Sequence, residues 1–147
     1  MIGSTVSGSV AGSTNKTLLS VLSSADRRPR IKCIRISCSD ATPTDAMISF
    51  ALRRITADGT GTAVTPIPKD ISDGTAMTCT AKKNYTVEPT YAAGNVAEFT
   101  LHVRASGEFR PGPGEEWAVP IGAGAGLGMT IVTNDTKNYR VEIIWDE

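Results

Sequence analysis

The chain has 147 residues, a length that suits one domain, since single domains cluster at about 100–150 residues. A chain of this size buries roughly 68–70% of its unfolded surface, so it needs no metal or disulfide staple to fold. Lys+Arg and Asp+Glu both number 15, and a formal net charge of zero argues against a partner held by phosphate neutralisation, which calls for a basic excess.

Residues 1–15 are rich in Gly, Ser and Thr and carry almost nothing large enough to bury. They read as a flexible or extended arm preceding a folded domain over 16–147. The opening has neither a basic start nor an apolar run, so it reads as neither signal peptide nor membrane helix. No stretch approaches the ~18 apolar residues of a span. The expectation is a soluble protein made in the cytoplasm, with no membrane partner.

Leu18, Leu19, Val21 and Leu22 form the first apolar cluster. A basic run follows, with Arg27, Arg28, Arg30, Lys32 and Arg35, and Arg53 and Arg54 make a smaller one. Neither is interleaved with the aromatics that base stacking wants, so nucleic acid is not an expected partner. Arg27, Arg28 and Arg30 are instead candidate contacts to a protein partner or a second copy.

From Arg30 to Ser39 the pattern alternates, with Lys32, Ile34, Ile36 and Cys38 on one face and Ile31, Cys33, Arg35 and Ser37 on the other. Period two and β-branched content predict a strand. Cys33 and Cys38 then point to opposite faces and are not expected to pair. With Cys79 the cysteine count is odd, no CxxC occurs, and His102 stands alone, so no zinc site is predicted. The Asp and Pro chemistry of residues 40–45 predicts a turn. A second long strand is expected from Asp45 to Thr56, with Ile48, Phe50 and Leu52 on its apolar face.

Residues 62–93 are irregular, because Pro66, Pro68 and Pro89 each remove a ladder donor. Short strands are expected near 62–67, 76–80 and 84–88. Val96 to Ser106 is the clearest strand, with Ala97, Phe99, Leu101, Val103 and Ala105 opposite Glu98, Thr100, His102 and Arg104. The turn at 111–114 leads to Trp117 and Val119. A glycine run at 122–128 and a strand over 127–133 follow, and Tyr139, Val141, Ile143 and Trp145 share one side of the last strand. Many short strands without intervening helices predict an all-β fold, an antiparallel β-sandwich or jelly roll.

No catalytic set emerges from this pattern. Gly122 to Gly128 places glycine at every second residue with no Lys-Ser/Thr after it and a strand rather than a helix next, so it is not a phosphate loop. It reads as a flexible or tightly packed β-connection. His102 has no assignable nucleophile. Glu115 and Glu116, like Asp146 and Glu147, are adjacent strand residues that point apart. A calcium site from Asp40 and Asp45, or from Asp70 and Asp73, matches no EF-hand spacing. Trp117 and Trp145 read first as core, and Trp117, beside a Gly/Pro turn, also as a subunit contact. The expectation is a non-enzyme without cofactor or metal.

Lys16-Thr17-Leu18-Leu19, Glu88-Pro89-Thr90, the stretch from Trp117 to Gly128 ending Gly-Leu-Gly, and the closing Trp145-Asp146-Glu147 together resemble small tailed-bacteriophage virion proteins. The resemblance spans nearly all of residues 16–147 and is to jelly-roll decoration, or cement, proteins of the capsid exterior. It implies a homo-oligomer, commonly a trimer, that binds the major capsid protein on the outside of the shell and stabilises it. The arm and the run from Arg27 to Lys32 do not map onto that family. A head-fibre base or tail component is the alternative. A carbohydrate-binding β-sandwich is disfavoured by an aromatic content of 5%, most of it on apolar faces.

Overall fold

The computed structural model describes every residue except 44, 71, 73–75, 134 and 135. Among the described residues there is no α-helix, and two antiparallel sheets of seven strands each pack face to face as a β-sandwich. The strands are β1 (Ile2–Val6), β2 (Val10–Ala11), β3 (Thr17–Leu22), β4 (Arg30–Cys38), β5 (Met47–Ala57), β6 (Thr60–Val64) and β7 (Ile67–Pro68). Then come β8 (Thr80–Val87), β9 (Thr90–Tyr91), β10 (Ala97–His102), β11 (Ser106–Phe109), β12 (Trp117–Ala118), β13 (Gly126–Ile131) and β14 (Asn138–Asp146). The first sheet runs β11-β4-β14-β1-β7, with β12 beside β4 and β2 beside β14. The second runs β10-β5-β13-β3-β8-β6, with β9 beside β5.

The core lies between the central strands. From β14, Tyr139, Val141, Ile143 and Trp145 point inward, and from β13 so do Leu127, Met129 and Ile131. Ile48, Phe50 and Leu52 of β5 join them, as their alternation predicts. Phe50 meets Tyr139 edge to face, with ring centroids 5.3 Å apart.

Two β-bulges decide which side chains reach this core. In β4, Ile144 pairs with Cys33 and Trp145 with Ile31, so Lys32 is the extra residue. Strict alternation separated Ile31 from Ile34 and Ile36. The bulge restores it to their face, and all three are core residues. In β3, Met129 pairs with Leu19 and Thr130 with Thr17. Leu18 is the extra residue there, which lets Leu18 and Leu19 both enter the core while Thr17 and Ser20 face outward.

Three expectations change. The clearest predicted strand, 96–106, is two strands in different sheets. β10 pairs with β5, the chain turns at Val103 and Arg104, and β11 pairs with β4. At this corner Gly107 lies against Leu101, where a Cβ would come within 2.7 Å of the leucine. Of the strands expected near 76–80 and 84–88 only one forms, β8, which starts at Thr80 and pairs with β3 and β6, while residues 76–79 are not strand.

Residues 1–15 are not a free arm ahead of the domain. β1 forms five register pairs with β14, Ser7 N bonds Val141 O at 2.8 Å, Val141 N bonds Ser7 Oγ at 2.9 Å, and Val10 sits in the core. Pairing is a backbone interaction, so a segment without bulky side chains can still complete a sheet. Removing residues 1–11 leaves one edge of β14 unpaired. The shortened chain should show a lower urea midpoint and a fall in soluble yield, and an unchanged midpoint would make β1 dispensable.

Candidate functional site

The outer face of the second sheet carries a trough built by glycine. Gly126 and Gly128 alternate with the core residues of β13, and Gly128 lies in a row between Arg53 of β5 and Ser20 of β3. Without a side chain at Gly128 the ring of Tyr91 lies close to the sheet, and the ring of Tyr85 lies in the same way against Gly61 of β6. A Cβ at Gly128 would come 2.6 Å from Tyr91 Oη and 3.3 Å from Ile55 Cδ1. The guanidinium of Arg53 stacks on the Tyr91 ring at 4.5 Å from its centroid.

Two hydrogen-bond chains run through this trough. Thr17 Oγ1 donates to Glu88 Oε2 at 2.5 Å, and therefore accepts from Tyr91 Oη, also at 2.5 Å. Thr17 N bonds the same carboxylate oxygen at 3.0 Å, and Lys16 Nζ pairs with Glu88 Oε1 at 2.9 Å. In the second chain Tyr85 Oη donates to Asp58 Oδ1 at 3.3 Å and lies 2.5 Å from Ser20 Oγ, while Lys82 pairs with Asp58 Oδ2. Burial pushes both phenols above their ordinary value of 10.0, so they stay protonated donors at neutral pH. Each hydroxyl proton is directed at an oxygen within the network. The chemistry is that of a clamp joining β3, β5, β8, β9 and β13. Sequence reasoning missed this constellation, although glycine at every second residue marks one face of a strand left bare.

The outer face of the first sheet carries an alternating ladder of charge. Arg110 Nε bonds Glu108 Oε1 at 2.5 Å, Arg35 Nε bonds Glu108 Oε2 at 2.6 Å, and Arg35 Nη1 bonds Glu142 Oε2 at 2.8 Å. Lys69 closes it, 3.5 Å from Glu142 Oε1. Strand register imposes the order, since Glu108, Arg35 and Glu142 are direct cross-strand partners. Hydrogen bonds from Arg110 and then Arg35 pull the Glu108 carboxyl down to about 2.

At one end of the sandwich the turn from β3 to β4 presents Arg27, Arg28 and Arg30, all exposed. They line an open depression with Ile121, Asp146 and Glu147. Three hydrogen bonds hold the turn's backbone. Arg27 N bonds Ser24 Oγ at 2.9 Å, Ser24 N bonds Arg27 O at 3.1 Å, and Val119 N bonds the carbonyl of buried Pro29 at 3.0 Å. Trp117 pairs with Ile31 directly behind this turn, but its ring turns inward against Phe99, with centroids 5.7 Å apart. The three arginines therefore form one surface, and Trp117 backs it from the core side.

The remaining sequence candidates stay apart. His102 Nδ1 accepts from Arg104 N at 3.3 Å, and its Nε2 lies 3.8 Å from Asp45. His102 and Cys38 line one cavity of about 10 Å³, room for a single water rather than a substrate. Glu116 bonds Lys32, Asp146 bonds Met1 N, and the Glu147 carboxylate accepts from Thr78 and Cys79. Asp40 accepts from Asn138 and Asp45 from Arg104, Asp70 accepts from Ser72, and Asp73 lies outside the described residues. Among the described residues no three His, Cys, Asp or Glu side chains gather as a metal centre would require.

Comparison with known proteins gives no match: no family model fits the chain, and no curated protein or solved structure is significantly similar to it.

Gly128→Ala should destabilise the fold by roughly 1–3 kcal/mol, because the methyl displaces Tyr91. The same change in a Tyr91→Phe background should cost less, since the closest clash is with the phenol oxygen, and a double-mutant cycle in urea reads that coupling. Fully additive costs would separate Gly128 from Tyr91. For the ladder, a depressed carboxyl contributes stability above its unfolded value, near 4.5, and loses it as pH falls through about 2. Glu108→Gln should therefore lower the urea midpoint at pH 6, with the gap to wild type closing as pH falls toward 2.

Proposed function

We propose that this protein is a structural subunit of a tailed-bacteriophage virion, a decoration protein that binds the outside of the capsid and stabilises the shell. The observation that carries this reading is a convergence. Three segments behind the resemblance, Lys16-Thr17, Glu88-Pro89-Thr90 and the Gly126-Leu127-Gly128 end of the glycine stretch, lie far apart in sequence but meet in the tyrosine trough. Thr17 bonds Glu88 and Tyr91, and Tyr91 lies on Gly128. Residues that resemble a family and also form one coupled unit support the resemblance more than scattered short matches would.

The physics of the molecule suits such a role. Its hydroxyl networks tie strands to one another, and its outer faces are locked by a clamp on one side and a charge ladder on the other. A rigid body of this kind stabilises a shell by bridging neighbouring subunits, with avidity when several copies engage repeated sites. The partners on this reading are the major capsid protein and further copies of the chain, as a trimer. The second reading, a head-fibre base or tail component, shares the scaffold and differs in location.

Light scattering on the purified protein, alone and mixed with expanded capsid shells, tests the proposal. A discrete oligomer that co-sediments with the shells is the expected result. A monomer that stays in the supernatant would overturn it.

A further inference from the structure

We infer that the free edge of β10 pairs antiparallel with β10 of a second copy, about a two-fold axis at Thr100, and joins the second sheets of both copies into one. The joint is separate from the trimer contact of the capsid reading and does not rest on it.

Four strands close the ends of the two sheets, β11 and β7 in the first and β10 and β6 in the second. Open edges recruit other strands, and proteins blunt them with short length, proline, charge or a bulge. β7 has two residues and ends in Pro68, and β11 has four, flanked by the charge ladder. The register of β6 is broken between Thr60 and Thr62. β10 is six residues long, pairs with β5 without a break, and has neither proline nor lysine.

The hydrogen bonds of β5 show which backbone groups of β10 are free. In an antiparallel pair, alternate residues turn their N–H and C=O toward the neighbouring strand. Ser49 O accepts from Val132 N at 2.8 Å, on the β13 side, so Ser49 turns away from its register partner Thr100. Ala46 O accepts from Val103 N at 2.9 Å, on the β10 side. Phe99 and Leu101 are in phase with Val103 and face β5. Glu98, Thr100 and His102 therefore direct their backbone groups to the open edge. The His102 carbonyl also accepts from Ala105 N at 2.8 Å, which leaves it one lone pair for a further donor.

This edge is complementary to itself. With Thr100 on the axis, the outward backbone groups of Glu98 meet those of His102 in the second copy, and Thr100 meets Thr100. The side chains of these opposed residues also match. His102 Nδ1 accepts from Arg104 N, so the neutral ring carries its proton on Nε2, and that donor faces the second copy's Glu98. Asp45 lies 3.8 Å from the same nitrogen but is bonded to Arg104, and Glu98 has Oε2 to spare because Oε1 accepts from Asn95. On the inner side, half-buried Leu101 meets Phe99 of the second copy and extends the apolar layer. A slip by two residues, the smallest that keeps the faces matched, breaks the pairing of Glu98 with His102.

The test reads register and mass in the full chain. Thr100→Cys, Glu98→Cys, His102→Cys and a control on the exposed β6 edge, Thr62→Cys, are treated with a short bifunctional thiol reagent and resolved on a denaturing gel. Wild type gives the background from the native thiols. Thr100→Cys should cross-link to itself, while Glu98→Cys and His102→Cys should do so poorly alone and efficiently when mixed. Equal cross-linking of Thr62→Cys, or no gain on mixing, would overturn the inference. Thr100→Pro removes an outward N–H and leaves the ladder to β5 intact. Its urea midpoint should hold, while the rise in mass with concentration seen by light scattering is lost. An unchanged rise, or a wild type without one, would count against the joint just as decisively. Should the proline variant fail to fold, the cysteine register decides alone. A trimer that persists in Thr100→Pro, with no cross-linking of Thr100→Cys, would end this inference and leave the capsid reading standing.

Discussion

The two central strands, β13 and β14, are the members on which both sheets depend. Each presents a row of large, mostly apolar side chains to the other sheet, and in β14 that row includes the buried rings of Tyr139 and Trp145. Tyr139, Val141, Ile143 and Trp145 are fully buried, as are Leu127, Met129 and Ile131. The edge-to-face contact of Phe50 with Tyr139 ties the layers across the gap, and such a pair adds about 0.5–1.5 kcal/mol beyond its buried area. Everything on the outer faces is organised around keeping these rows in register.

Register explains why β13 is so rich in glycine. Its inner positions are large and its outer positions, Gly126 and Gly128, are bare, so the strand buries one face in the core while Gly128 takes the Tyr91 ring and Gly126 lies tightly against Val21 and Leu22. That makes the second sheet locally three layers deep, with Tyr91 and Tyr85 sealing it. The first sheet needs no such cover, because its outer face is a ladder of opposite charges in direct cross-strand register. One face is closed by hydroxyl chemistry and the other by ion pairs. The arginine turn differs from both faces, because the side chains of Arg27, Arg28 and Arg30 have no ion-pair partner among the described residues.

Much of this was legible from period-two patterning. The inward rows of β5, β10 and β14 follow directly from alternation, and so does the all-β class. Two failures of strict alternation share one cause. At Lys32 and at Leu18 an extra residue shifts the face, and a bulge has no signature in hydrophobicity alone. The corner at Val103 failed for a related reason, since an alternating run continues to alternate whether or not the strand changes sheets at its midpoint.

The sequence by itself determined which residues must be covered: apolar side chains at every second position demand a second layer, and without a helical period anywhere in the chain that layer is another sheet. It also determined that Arg27, Arg28 and Arg30 would be crowded together, since adjacency in the chain guarantees it. Only the tertiary structure decided what covers what. Residues 2–6 complete the first sheet through backbone hydrogen bonds, which depend on no side-chain type and so leave no trace in composition. Tyr91 reaches Gly128 and Thr17, and Glu88 reaches Lys16, across separations that no local pattern encodes. Whether a charged side chain is free or paired is likewise a property of its neighbours in space, and it is that property which distinguishes the arginine turn from the equally charged ladder.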